Sequence, residues 1–180
     1  MSIPFACTQC GACCRWGSAI KVFPRDLHAL MDLLKISSAE DFVLRFGVII
    51  REVHELSCEV IKFSILGLRR EAGGCVFLSE RGCRVHEKKP LICSLAPFSW
   101  SHWSTPAHRD YYQSHSPGFQ GSVEFADEQI EGSIRREIEE WNHYLAEIEE
   151  NPGQWWVLYG LDEEPALPEV RVHGRHVNAS

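Results

Sequence analysis

Apolar positions take up a helical spacing soon after the N-terminus, where Leu27, Leu30, Met31 and Leu34 fall three or four residues apart behind Pro24. The stripe predicts a short amphipathic helix with proline in its first turn. Ser37 and Ser38 precede Glu40, a capping pattern that opens a second helix toward Phe46, closed by Gly47. The segment from Val60 to Leu68 is rich in Ile and Phe and reads as a strand. Gly73 and Gly74 turn the chain into Cys75 to Leu78, and Cys83 to His86 is predicted to return as the second arm of a hairpin across Ser79 to Gly82. Cys75 and Cys83 are then expected near opposite ends of that hairpin.

The longest pattern comes last. Ile130, Ile134, Ile138, Trp141, Leu145 and Ile148 recur at steps of three or four after Asp127. They predict one long helix, capped by Asp127 and ended before Pro152, with this stripe in the core and its acidic face in solvent, including a Glu131–Arg135 pair. From Asp162 onward the chain is acidic, carries two prolines and lacks a periodic apolar face. Residues 162–180 are therefore expected to form a loosely ordered tail on a single domain of residues 1–161. The expected fold class is a small α+β domain: helices flank a short antiparallel hairpin, and loops converge on a cysteine-rich metal site.

Composition narrows the function. The chain has 180 residues, 44% of them hydrophobic, enough for an ordinary core. No apolar run approaches the roughly 18 residues of a spanning helix, and the N-terminus lacks the basic and apolar regions of a secretory signal. A cytoplasmic location is expected, with no membrane partner. Net charge is −7, divided as +3 over residues 1–121 and −10 over residues 122–180. All 8 cysteines lie in the basic part. Arg69, Arg70, Lys88 and Lys89 there either offset the negative charge of clustered thiolates or are simply solvated. No Lys/Arg stripe with interleaved aromatics occurs, which argues against a nucleic-acid partner.

Eight cysteines in a reducing compartment are not kept as structural disulfides, and four of them fall between Cys7 and Cys14, too close together for sound mutual pairing. The run Cys7-Thr-Gln-Cys10-Gly-Ala-Cys13-Cys14 lets the chain wrap so that successive thiolates point at a common centre, and Gly11 suits that wrapping. The C-x2-C spacing suits tetrahedral zinc, whereas C-x2-C-x2-C suits three ligands of a 4Fe–4S cluster, so the metal stays open. Side chains of the vicinal pair Cys13-Cys14 diverge on an extended backbone; one of them serves a second site, or Cys14 is a supporting thiol.

Downstream come Cys75-Val-Phe-Leu78, Gly82-Cys83-Arg-Val-His86, Pro90-Leu-Ile-Cys93 and Pro97-Phe98. With the first motif, these elements resemble the YkgJ-type CxxCxxCC cysteine-cluster family, described as a zinc- or iron-chelating domain and related to the N-terminal part of flagellin lysine N-methylases. The resemblance implies that Cys7, Cys10, Cys13, Cys14, Cys75, Cys83 and Cys93 form the metal-binding set. It also implies a further cysteine before a Pro-Gly pair, where this chain has Ser116 ahead of Pro117-Gly118. His115 or Cys58 would have to substitute for it, although a lone cysteine such as Cys58 is ordinarily a buried free thiol. His86 is expected to pack and hydrogen-bond rather than to ligate, and His102 and His108 lie in a Trp/Ser-rich loop that does not require ligation. Trp16, Trp100 and Trp103 either shield the metal or pack in the ordinary way.

Neither a G-x-S-x-G elbow, an H-E-x-x-H helix nor a phosphate-cradling loop is present, so no catalytic residue is assigned and enzyme activity stays open. The favoured expectation is an iron–sulfur protein of redox or electron-transfer type with an unknown protein or redox partner. The alternatives are a zinc-stapled interaction module and an accessory to protein-lysine methylation.

Overall fold

The computed structural model describes residues 2–15, 19–55, 60–71 and 73–175. In chain order the elements are β1 (Ser2–Pro4), α1 (Ala12–Arg15), β2 (Ile20–Lys21), α2 (Pro24–Leu34), α3 (Ala39–Phe46), β3 (Gly47–Glu55) and β4 (Val60–Leu68). Four short strands follow, β5 (Arg70–Glu71), β6 (Gly74–Cys75), β7 (Leu78–Ser79) and β8 (Gly82–Cys83). The rest comprises α4 (Leu91–Leu95), α5 (Trp100–Trp103), α6 (Pro106–His115), β9 (Glu124–Ala126), α7 (Asp127–Glu150) and β10 (Glu169–Arg175). The chain is α+β, and no described helix is long and apolar enough to cross a membrane.

Helices α2 and α3 stand where their apolar spacing and caps place them, with Ser38 Oγ accepting from Asp41 N at 3.2 Å. The main sheet has the order β10-β3-β4-β2. Its centre is the antiparallel β3–β4 pair, with Gly47 opposite Leu68 and Glu55 opposite Val60. A second ladder joins β1 to β9.

Four expectations are corrected. The segment expected as a loose tail contributes β10, parallel to β3 with Glu169 opposite Ile49. Arg51 explains the docking: its Nη2 donates to Glu164 at 2.8 Å and to Glu169 at 2.9 Å, so two of the acidic residues that suggested disorder are held by one guanidinium. Val170 and Val172 also pack against the core.

The expected Cys75–His86 hairpin is two ladders. Arg70 pairs with Cys75 in β5–β6, and Leu78 pairs with Cys83 in β7–β8. Val76 and Phe77 leave the ladder between them because their side chains bury in the core, at 8% and 1% exposure. In α7 the cap is Ala126, whose N–H donates to Gln129 Oε1, and Asp127 is the first helical residue because the chain enters directly from β9. The buried line on α7 runs Ile130, Glu137, Tyr144, while Ile138 is 39% exposed. Ile138 lies eight residues after Ile130 and so about 80° round the helix from it, off the seven-residue line that meets the core.

The core divides into two clusters. The larger lies between the main sheet, α2, α3 and the distal part of α7, and includes Phe23, Leu27, Phe42, Ile50, Leu66 and Tyr159. The smaller joins Phe5, Ala12, Phe98, Trp103, Tyr112 and Ile130. Cys13 packs against both.

Asp26 ties α2 to α4 by accepting from Phe23 N at 3.1 Å and from Leu91 N at 3.0 Å. Burial pushes its carboxyl up to about 6 from 3.8, with the two N–H donors opposing the shift. A carboxyl raised on folding contributes stability that is fully present below its unfolded pKa and is lost as pH rises through about 6. Between pH 7 and pH 4, metal-free wild type is therefore expected to gain roughly 2 to 3 kcal/mol relative to Asp26→Asn. Urea midpoints of the two proteins across that range provide the check, and a pH-independent difference contradicts it.

Candidate metal centre

The seven motif cysteines arrive from five places. Cys7 and Cys10 lie on the segment between β1 and α1, where Gly11 has φ +78°, a backbone region that disfavours a Cβ. Cys13 and Cys14 lie on α1, Cys75 ends β6, Cys83 ends β8, and Cys93 sits in α4. All seven line one cavity of about 50 Å³, room for a few water-sized bodies. Its walls include Phe5, Ile20, Leu68, Val85 and Tyr112, so the thiols stand at the seam between the two hydrophobic clusters.

Local structure explains each presentation. The vicinal pair occupies a helical turn, not extended backbone. Phe77 N donates to Cys75 Sγ at 3.5 Å. Pro90 precedes α4, and the Leu91 N–H held by Asp26 sets the turn that carries Cys93. The Ala96–Pro97 peptide beside the cavity is cis.

The electrostatics separate an inner group from an outer one. The hydrogen bond from Cys14 draws the Cys13 thiol down to about 7 against the opposing effect of burial, with Lys89 adding attraction. Cys14 correspondingly holds its proton, being raised first by that same bond. Burial pushes Cys75 up to about 11 and raises Cys83 and Cys93, and repulsion from Cys13 adds to all three shifts. Cys7 is exposed and faces His86, with Sγ and Nε2 3.8 Å apart. Burial lowers the His86 pKa, and Lys89 lowers it further. Cys10 donates to Ser116 Oγ at 3.6 Å.

The expected cations divide. Lys89 lines the cavity, and an Arg70 guanidinium N–H donates to Cys14 O. Arg69 instead pairs with Glu71 at 2.8 Å, and Lys88 is exposed. Ser116 occupies the position where the resemblance implied an eighth cysteine, and it lines the cavity with 8% exposure. His115 is exposed and stacked on Tyr111, so it does not replace a ligand there. His102 is buried against Ser99 Oγ at 2.5 Å, and burial holds it down at about 3. Neither His102 nor His108 is among the cavity's lining residues.

Trp103 is stacked on Phe119 within the smaller cluster and Trp100 is 40% exposed; the cavity wall is made by Phe5 and Tyr112. Trp16 and Cys58 lie outside the described residues. Sequence reasoning overlooked Tyr112, for which the i,i+4 relation to Ser116 at the end of α6 was the available signal.

The donor set fits a soft or borderline metal: sulfur dominates, one imidazole is present, and no carboxylate is among the lining residues. Among the described residues no three His, Cys, Asp or Glu side chains are already closed around one point. Metal entry therefore requires side-chain rotation and loss of thiol protons.

Comparison with known proteins agrees with this donor set. A 100-residue stretch is 32% identical to an uncharacterised protein, MJ0661, of Methanocaldococcus jannaschii, covering 54% of this chain and 46% of that protein. The chain thus spans about half the length of that relative. No solved structure matches. Residues 6–117 match the family model described as "Putative zinc- or iron-chelating domain", and the chain belongs to that family, CxxCxxCC.

Proposed function

We propose that the protein is an iron–sulfur protein of a reducing compartment, in which the inner thiols Cys13, Cys75, Cys83 and Cys93 hold the cluster and electron transfer to a protein partner is the activity. The observation that carries this reading is the convergence of seven thiols on one cavity. One tetrahedral ion uses four ligands, so the set exceeds the need of a single zinc. Apolar walls exclude water, and Lys89 offsets the negative charge of thiolate-bound iron. Cys14 acts beside the ligands as a donor to Cys13 sulfur, a bond that tunes the ligand's basicity.

The test is metal and sulfide analysis with a visible spectrum on untagged protein purified without oxygen. Brown protein with iron and acid-labile sulfide in near-equal amounts is the expected result. Colourless protein with zinc and no sulfide would replace this reading by a zinc-stapled interaction module. Proton release offers a second check. At pH 7.5 Cys75, Cys83 and Cys93 are protonated before metal arrives, so calorimetry in buffers of different ionisation heat is expected to show a proton leaving each of these three thiols. Buffer-independent heats would contradict the ligand assignment.

A further inference from the structure

His86 opens a short 3-10 turn three residues after Cys83, and its ring nitrogen faces the Cys7 thiol. The separation is informative. Donors sharing one tetrahedral metal, at about 2.3 Å to sulfur and about 2.05 Å to nitrogen, stand about 3.6 Å apart. Cys7 Sγ and His86 Nε2 are 3.8 Å apart, close to that spacing.

Lys89 supplies an independent observation. Its Nζ donates to the same His86 Nε2 at 3.3 Å. An ammonium has only protons to give, so Nε2 carries its lone pair toward the cavity, in the tautomer that a metal needs. A cation thus already stands beside the imidazole and the thiols. Cys7 is exposed whereas Cys14 and Cys75 are buried, which puts this pair at the mouth of the cavity.

We propose that Cys7 Sγ and His86 Nε2 ligate one metal atom at the mouth of the cavity, a mixed sulfur–nitrogen pair beside the Lys89 ammonium and separate from the four inner thiols. The proposal rests on the metal-binding reading of the cavity and assigns it a nitrogen ligand. A neutral imidazole leaves the metal less negatively charged than a further thiolate would. The exposed position leaves room for a small exogenous ligand to complete the coordination shell.

The test uses metal-free protein loaded without oxygen with Co²⁺ alone, read by X-ray absorption at the cobalt edge and by the rate of release to a chelator. Wild type is expected to show imidazole scattering. His86→Ala is expected to lose it and to release its most labile cobalt at least tenfold faster. His86→Cys is expected to restore slow release with an all-sulfur shell, which separates ligation from a folding defect. Imidazole scattering that survives in His86→Ala, or an all-sulfur shell in wild type, overturns the proposal while leaving metal binding intact. A chain that retains neither cobalt, iron nor zinc overturns the functional reading along with it.

Discussion

Cys13→Ser is expected to reduce bound metal to under about a tenth of the wild-type amount and to destabilise the metal-loaded protein by about 4 kcal/mol, the scale of losing a structural metal. Cys13 is singled out by position. It touches both hydrophobic clusters, lies in the electrostatic reach of Cys75, Cys83 and Cys93, and has its thiol drawn down to about 7 by the donor on Cys14. Serine is nearly isosteric, but its hydroxyl does not ionise near neutral pH and is a poor donor to soft metals. The lesion is therefore one of ligation, not of packing. Cys83→Ser and Cys93→Ser, which remove two of the other inner thiols, are expected to lose metal as well, whereas Cys58→Ser, outside the motifs, keeps it. Metal analysis and denaturation midpoints with and without chelator provide the measurement. If all four variants carry equal metal, the site assignment is wrong.

Phe23→Ala is expected to cost about 3 to 5 kcal/mol, the range for deleting a buried aromatic side chain. Phe23 is fully buried where α2 begins, edge-on to Trp141 at 5.0 Å and to Tyr144 at 6.0 Å. It thereby joins the start of α2 to α7. Its N–H also donates to Asp26, which in turn holds Leu91 N, the start of the helix that presents Cys93. Truncation leaves a cavity in the larger cluster while every cavity-lining thiol keeps its side chain. The folded fraction of Phe23→Ala is expected to bind the wild-type amount of metal, and Phe23→Leu to cost less than the alanine variant, because leucine refills much of the space. A loss below 1 kcal/mol in urea unfolding would mean that the α2–α7 junction matters little to stability.

The two variants separate the sources of stability. Phe23 reports on apolar burial within one cluster, and Cys13 reports on the metal at the seam between two. Iron or zinc at that seam is expected to link the clusters, so chelation should broaden the unfolding transition of wild type and leave Cys13→Ser unchanged. Coincident, equally sharp transitions by tryptophan fluorescence and circular dichroism after chelation would argue against that coupling.

How much was legible in the chain follows from how local each feature is. Helices α2 and α3 were readable to the residue because proline, a serine cap and a short apolar stripe act within a turn or two. Strand β4 was readable because nine residues rich in Ile and Phe have no competing pattern. Strand β3 was not anticipated, although Val48 to Ile50 is a run of β-branched residues, because the preceding helical pattern runs into it without a turn. The docking of β10 was hidden for a different reason. Its order depends on Arg51, more than 100 residues away in the chain, and no local pattern encodes that pairing.

By itself the sequence determined the candidate donor chemistry: the seven motif thiols that line up with the family's pattern, the serine, Ser116, where an eighth was implied, and the family to which the motifs belong. Ligand type and short-range spacing are properties of adjacent residues, and they survive in the chain without the fold. Only the tertiary structure decided that the five segments meet at one cavity, that Cys13 and Cys14 share a helical turn, and that His86 faces Cys7 across 79 positions of chain. Those relations arise where two hydrophobic clusters are packed against each other. Such packing is set by the sum of many weak contacts between distant residues, not by any one segment.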